Sequence, residues 1–437
     1  MTRSLLLAII FACLSGITYG YDISVIAAAL NEMKAAFPSI PEELIVALMS
    51  IGILVSRLFA WSLADKFGRI KSLVAADVII LAGIMTTVLT KSAALLLIGR
   101  FFLGMGVGTA LLVGPTYLSE ISPRVFRGRL VTLHELCVCI GSFLGFSSSW
   151  ALPESSWQVK LGISAIPSLI QLGLTFMLPE SPNWLSFNGR LEEAEKSKLR
   201  LGLSEDPPTT HVFDLELDHN IDKPPISQPK QKTLNLLRSL WTAHKSPLLI
   251  SLCVCIAGSA CGFYVLQAFA VKIVSRLFPE GDEKHIEKSI LPWLGAAKLV
   301  GVLICYGVID LLGRRAVLLA SLATVIMSNC LLITSAYIPG WSVIIGIGFG
   351  IFGWSLGLGS MTLLVANELM PTEYRATASG IVLAGNSIVE VVYHLTFRLM
   401  FDASPALPFI MFLAYSVFAF GVTFVLVPET LGVNLKE

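Results

Sequence analysis

Long apolar stretches separated by short polar ones set the pattern of this chain. Apolar runs fall at 5–30, 43–64, 70–89, 95–117, 130–152, 159–178, 247–273, 289–309, 315–336, 342–366, 377–400 and 406–427. Most match the ~20 residues that a helix needs to cross a bilayer. Helices are expected, because a backbone in hydrocarbon must satisfy its own hydrogen bonds. A β-barrel would show segments of about ten residues with alternating polarity, and these runs are too long and too uniformly apolar. The expectation is an all-α membrane protein with twelve transmembrane helices.

One long polar interruption, Pro179 to Ser246, parts the first six runs from the last six. It is charged, and Pro207, Pro208, Pro224, Pro225 and Pro229 cluster in its middle. Leu191–Leu201 reads as a short surface helix within it, and the rest as linker. The expected division is a six-helix bundle over 1–178, a linker over 179–246, a second bundle over 247–427 and a tail over 428–437. The halves repeat. DKFGR at Asp65–Arg69 matches DLLGRR at Asp310–Arg315. Glu120, Pro123 and Arg127 match Glu368, Pro371 and Arg375. PES at Pro179–Ser181 matches PET at Pro428–Thr430. The three offsets are 245, 248 and 249 residues, which implies a parallel repeat of two like bundles.

Basic residues fix an expected orientation. Loops after even-numbered spans hold Lys66, Arg69, Lys71, Arg124, Arg127, Arg129, Arg314, Arg315 and Arg375, and the linker adds more. Positive loops stay inside, so both termini and the linker are expected in the cytoplasm, with the plasma membrane as the location. Composition agrees with immersion in lipid. The chain is 55% hydrophobic and 14% charged, against about 25% charged in a soluble domain. Net charge is +1 and no Lys/Arg-rich block is present, so no nucleic-acid partner is expected. The eight cysteines all lie in apolar runs without CxxC or zinc spacing, so they read as small buried hydrophobes, and no metal or other cofactor is expected. The first run resembles a signal peptide as far as Gly20, but it continues past Asp22 without a convincing cleavage site.

The repeated motifs resemble the sugar porter family of the major facilitator superfamily, over essentially the whole chain. The matching elements are GYD at Gly20–Asp22, DKFGR, GRFFLGMGVG at Gly99–Gly108, PTYLSEISPRVFRG at Pro115–Gly128, PESPNWL at Pro179–Leu185, DLLGRR, and PETLG at Pro428–Gly432. ESPNWL and ELMPTEYR are also similar to organic cation transporters. The resemblance implies the major facilitator fold, with two bundles that alternately close over a central cavity. It implies an inner gate formed by Asp65, Arg69, Glu120, Arg127, Asp310, Arg314, Arg315, Glu368 and Arg375. The plainer alternative is that these charges only set topology.

Carried across position by position, the family's solute-binding residues fall on Glu135, Gly258, Ser259, Tyr264, Lys298, Ser355, Leu363, Asn386 and Glu390. Asn386 alone keeps the family's residue, and three neutral amides have become the ionisable Glu135, Lys298 and Glu390. Charges inside a membrane are costly and suggest function with a partner. Two readings stay open: a buried ion pair or triad that locks the fold, or a site for a polar or charged solute or a proton. The solute-binding candidates are Glu135, Ser259, Tyr264, Lys298, Ser355, Asn386 and Glu390. Asp22 and Arg100 match a proton-coupling pair of some family symporters, with a static salt bridge as the alternative. Arg57, His134 and His394 are further polar intruders without an assigned role. Gly52, Ser56, Ala60 and Ala64 on span 2, and Gly104, Gly106 and Gly108 on span 4, read as faces for close helix packing.

No nucleophile–base constellation or metal motif is present, so the chain is not expected to be an enzyme. The expectation is a secondary transporter of a small polar solute, a sugar or an organic ion, by facilitated diffusion or proton symport. The alternatives are an organic ion transporter, and a sensor or scaffold of the same fold that binds ligand without turnover. The expected partners are the solute, protons in the symport case, and the lipid bilayer.

Overall fold

The computed structural model describes residues 2–122, 127–152, 156–203, 232–278, 283–359, 361 and 372–429. Among the described residues the secondary structure is helical, with no strand. The first half holds α1 (Arg3–Ala36), α2 (Glu42–Arg57), α3 (Ala60–Phe67), α4 (Arg69–Leu89), α5 (Ala93–Ile121), α6 (Arg127–Ala151), α7 (Trp157–Gly162) and α8 (Ala165–Thr175). Two short helices follow, α9 (Pro182–Phe187) and α10 (Leu191–Leu201). The second half holds α11 (Lys232–Ala260), α12 (Phe263–Ala268), α13 (Ala270–Leu277), α14 (Glu283–Leu312), α15 (Arg314–Tyr337), α16 (Ser342–Gly353), a π-helical turn at Trp354–Leu358, α17 (Thr372–Ala403) and α18 (Leu407–Leu426).

These segments fall in order on the twelve apolar runs. Eight described helices are long and apolar enough to cross a membrane alone, and α2 with α3 makes a ninth as a pair bent by 50°. The surface helix expected at Leu191–Leu201 is present with those bounds. Glu192 and Glu193 lie in its first turn and Lys198 and Arg200 in its last, which suits the helix dipole, and Gly202 caps it in the left-handed conformation at φ 75°. Helix α9 starts on Ser181, whose hydroxyl accepts from the Trp184 N–H at 3.3 Å, with Pro182 in the first helical position.

Three expected spans are not single helices. Span 2 bends between Arg57 and Ala60, span 6 breaks between Gly162 and Ala165, and span 7 divides into α11, α12 and α13. The break in span 7 sits at Gly262, whose φ of 90° is open to glycine at little cost. An apolar average registers the length of a run and not a turn inside it. Helix α11 also begins at Lys232, within the segment read as linker.

Each half packs on itself. In the first, α1 lies on α5, α6 and α8, and α5 lies between α2 and α4. In the second, α15 packs on α16 and α18, and α11 on α17 and α18. The small-residue face expected on span 2 meets the one on span 4. A Cβ added at Gly52 would overlap the Phe101 carbonyl, and one at Gly104 the Met49 carbonyl, so the backbones touch. One apolar cluster fills the first half around Phe11, Met49, Leu73, Val107 and Tyr117. A larger one runs through both halves, from Val25, Leu30 and Ile45 to Phe263, Phe269, Ile347 and Phe409. The halves meet along α6 with α14, α2 with α17, and α1 with α12, α13 and α14.

Gly262→Ala should be destabilising, because the added methyl overlaps the Phe412 ring and the backbone stays at positive φ. A strained position of this kind costs on the order of 1–3 kcal/mol. Gly307→Ala, where the methyl meets nothing within 4 Å, should be neutral. Thermal unfolding of the purified protein in detergent should show a lower midpoint for the first variant alone. Equal midpoints would remove Gly262 as the reason for the break.

Candidate functional site

The turns between spans 2 and 3 and between spans 8 and 9 have the same construction. Gly68 and Gly313 take φ of 97° and 86°, and each ends one helix and starts the next. The freed N–H groups of the following helix each find a carboxylate. Glu180 accepts from Arg69 N at 2.9 Å and Ile70 N at 3.1 Å, and Glu429 accepts from Arg314 N at 2.9 Å and Arg315 N at 3.2 Å. An acid at a helix N-terminus is favourable there. Burial pushes the Glu180 carboxyl up, opposed by the N–H groups of Ser181, Ile70 and Arg69 and by the Arg69 charge. Neither acid was among the expected site residues. The repeat of PES and PET was the signal that could have found them.

Around the first turn, the Arg69 guanidinium reaches Glu120 at 2.9 Å, Asp65 at 3.0 Å and the Ala64 carbonyl at 2.9 Å. Trp184 donates its indole N–H to the Asp65 carbonyl at 2.8 Å. The structure thus joins Asp65, Arg69 and Glu120 within the first bundle. Around the second turn, Arg315 donates to the Phe424 carbonyl, and Arg314 and Arg315 are tied to Glu429 through their backbones. The side chains of Arg127, Asp310 and Arg375, and all of Glu368, lie outside the described residues.

Midway along the bundles the interface is polar. Lys298, 1% exposed, donates to Ser142 Oγ at 2.7 Å and to Gln267 Oε1 at 3.4 Å. Its ammonium also lies 5.1 Å from the centre of the Phe263 ring and 5.6 Å from that of Trp354. These two rings stack at 3.7 Å and 5°. Gln267 donates in turn to Ser24 Oγ at 2.7 Å, so α12, α14, α6 and α1 meet through one lysine. Trp354 donates to the Gly258 carbonyl at 2.8 Å, across the break of span 7. Tyr264 stands edge-on to both Phe263 and Trp354. Ser259 donates to Asn386 Oδ1 at 2.8 Å. Ser355 spends its hydroxyl on the Ile351 carbonyl of its own helix.

One expectation needs correction. Glu135 and Lys298, for which a buried ion pair was one of two open readings, form no ion pair among the described residues. They lie within range of each other's charge, but the ammonium is taken by Ser142 and Gln267. Ser142 is seven residues beyond Glu135, about two helical turns. Gln267, Phe263, Trp354 and Ser142 were not foreseen. A lone glutamine in an apolar run was the available signal for the first.

Glu390 belongs to a different part of the interface. It accepts from Ser50 Oγ at 2.8 Å, and that oxygen also lies 3.0 Å from His394 Nδ1. Two turns along α2, Arg57 donates to the Leu383 carbonyl at 3.2 Å and to Ser387 Oγ. Toward the other end, Glu43 meets Arg398 at 3.5 Å, and Glu42 pairs with Lys272. Asp22 and Arg100 are both buried and within range of each other's charge, yet they are not hydrogen-bonded to one another. Arg100 instead donates to the Ile45 carbonyl and to Met49 Sδ, each at 3.3 Å. The static salt bridge weighed for this pair is therefore not formed. Ser142 and Glu390 are counterparts in the repeat, 248 residues apart like Glu120 and Glu368.

Comparison with known proteins agrees with this architecture. Solved structures of similar shape include a proton:xylose symporter XylE bound to 6-bromo-6-deoxy-D-glucose, at TM-score 0.78 and 19% identity, covering 98% of this chain and 96% of that one. A partially occluded inward open XylE from E. coli matches at TM-score 0.79 and 20% identity, over 99% and 100% of the two chains. In sequence the chain is 28% identical to a glucose transporter, GlcP, of Staphylococcus epidermidis, covering 99% of this chain and 96% of the relative. It is 29% identical to probable polyol transporter 3 of Arabidopsis thaliana, over 98% and 89%. The family model described as "Sugar (and other) transporter" matches residues 8–437. Matched over nearly its whole length, this chain belongs to the sugar transporter family and is a membrane transporter, not an enzyme.

Proposed function

We propose that the protein carries a small hydroxyl-rich solute, of the sugar or polyol class, by alternating access coupled to protons. The observation that carries this reading is the polar seam at mid-membrane, where Lys298, Ser142, Gln267 and Ser24 bring both bundles together beside a stacked aromatic pair. Aromatic faces and fixed polar groups are the usual lining of a sugar site. Relatives named as glucose, polyol and myo-inositol transporters, and a neighbour named as a proton:xylose symporter, support the class.

In this reading Lys298, Ser259, Tyr264 and Asn386 contact the solute, with Gln267 and Trp354 added to the expected set. Glu135 supplies a charge near Lys298 without pairing to it, and Ser355 plays a lesser part. Asp22 is the coupling acid and Arg100 its charge partner. Asp65, Arg69 and Glu120 hold the inner gate of the first bundle, with Glu180 as its anchor. Arg314 and Arg315 do the same in the second bundle with Glu429. Arg127, Asp310, Glu368 and Arg375 remain proposed members of that gate. The gate faces the cytoplasm, with both termini on that side, and the Glu42–Lys272 and Glu43–Arg398 pairs close the outer face.

Purified protein in liposomes should take up pentoses, hexoses or polyols, and an inward proton gradient should drive uptake uphill. Asp22→Asn should lose uphill uptake but keep exchange between equal solute concentrations. Failure of the wild type to move any of these solutes would sink the reading. Orientation has its own check. Cysteine at Phe187 on α9 should resist an impermeant maleimide on intact cells, and cysteine at Lys91 should react. The reverse labelling would invert the topology.

The Lys298 contacts can be weighed by double-mutant cycles on thermal stability. A hydrogen bond to a charged group contributes about 1.5–3 kcal/mol. Ser142→Ala with Lys298→Asn should therefore couple by an amount of that order. Glu135→Gln with Lys298→Asn should couple more weakly, since the two side chains do not touch. The opposite ranking would restore the direct pair.

A further inference from the structure

A small cavity lies where α1, α2, α5, α12 and α17 converge, away from Lys298 and its aromatic pair. Its walls include Ile23, Met49, Ser50, Arg100, Glu390 and His394, and its volume of about 10 Å³ has room for about one water. Its polar lining is deeply buried: Arg100 is 1% exposed, His394 2% and Glu390 3%. Arg100 Nη1 and His394 Nε2 have no hydrogen-bond partner among the described residues, and neither has either oxygen of Asp22, which adjoins Ile23 in α1. Of these, Arg100 and His394 line the cavity, and their unpartnered nitrogens call for an occupant that gives and takes hydrogen bonds.

The hydrogen bonds there have a direction. Ser50 has one hydroxyl proton, and its bond at 2.8 Å to the Glu390 carboxylate uses it. His394 Nδ1, 3.0 Å from the same oxygen, must then carry a proton and donate. Neutral imidazole with a proton on Nδ1 leaves a lone pair on Nε2, the nitrogen without a partner. We infer that His394, Ser50 and Glu390 form a second proton site, on the α2–α17 seam, which exchanges protons through the cavity with the Asp22–Arg100 side. This rests on the proton-coupled reading given above and extends it to residues outside that pair.

The transfer balances atom by atom. A proton from cavity water binds His394 Nε2. The Nδ1 proton passes to Ser50 Oγ, and the hydroxyl proton passes to Glu390 Oε1. The chain then holds a neutral carboxylic acid and an imidazole protonated on the other nitrogen. Once the cavity opens to the opposite side, the same path in reverse, Glu390 to Ser50 to His394 Nδ1 with release from Nε2, restores the starting tautomer.

The charged and titratable groups facing Glu390 are Arg57 on α2, Tyr19 on α1 and Tyr264 on α12, and Arg100 on α5 acts on His394. Loss of the Glu390 charge removes an acid whose charge acts on the Arg57 guanidinium. The same seam must part when the bundles rock, so the proton and the movement are linked through one contact.

Glu390→Gln, His394→Gln and Asp22→Asn in proteoliposomes test this. In Glu390→Gln, uphill uptake driven by an inward proton gradient should fall at least about tenfold, within the range of ordinary coupling between sites. Equal-concentration exchange should survive in His394→Gln, which lies outside the proposed solute contacts. Should Glu390→Gln fail to fold, His394→Gln and Ser50→Ala break the same chain with the acid in place, and the same loss is expected. Proton-difference infrared spectra of the wild type should contain a carboxylic-acid band that Glu390→Gln removes. A coupled wild type, an uncoupled Asp22→Asn and a fully coupled Glu390→Gln would overturn this inference and leave the proton-coupled reading intact. A wild type indifferent to the proton gradient would overturn both.

Discussion

Hydrocarbon offers no hydrogen bond, so each polar group on a spanning helix must find its partner on another helix or in a water-filled space. That constraint sorts the side chains of this chain. A buried group left without a partner costs about 1–3 kcal/mol. Lys298, Gln267, Ser142, Ser24, Ser50 and Glu390 accordingly gather where the two bundles face each other. The outward faces carry Leu58, Phe176, Val425 and similar residues instead. The bundle interiors are apolar around Phe11 and Tyr117 in one half and Phe409 and Phe412 in the other. A polar interface between apolar bundles holds them in register and still lets them separate, because water can replace each contact as it opens.

The α2–α17 seam illustrates this. Contacts run in antiparallel register from Glu43 with Arg398, through Ser50 with Glu390, to Arg57 with Leu383. Each is separable: a hydrogen bond to a charged group contributes about 1.5–3 kcal/mol and an exposed ion pair about 0–1. A transporter needs such an interface. One large apolar surface between α2 and α17 would hold the bundles in a single state.

The spans were legible because length and hydropathy are strong signals, and Leu191–Leu201 because its charges and apolar positions alternate at helical spacing. The breaks at Gly262, after Arg57 and after Gly162 were not, since a local turn leaves the average hydropathy unchanged. Asp65, Arg69 and Glu120 were found from their motifs. Glu180 and Glu429 were missed, although both lay in the repeat, because their partners are backbone N–H groups, which sequence does not display. Lys298 stood out as a charge in an apolar run, and of its two open readings the direct pair with Glu135 is not formed. Which turn of α6 faces it depends on the approach of the two helices. A Cβ added at Gly295 would sit 2.9 Å from the Phe143 Cα, and this close approach sets Ser142, not Glu135, opposite the lysine.

The repeat offset of 248 residues that relates Glu120 to Glu368 makes Glu390 the counterpart of Ser142. Parallel repeats are related by an axis along the membrane normal, so counterparts sit at equal depth. Ser142, level with Glu390, touches Lys298, so the two charges share one level of the bilayer with opposite sign. Membrane voltage acts on a charge by about 2.3 kcal/mol per 100 mV for a full crossing. Displaced together, an anionic Glu390 and a cationic Lys298 do no net electrical work. Neutralising either one leaves a single charge to move through the field, and the rocking of the bundles then becomes sensitive to voltage.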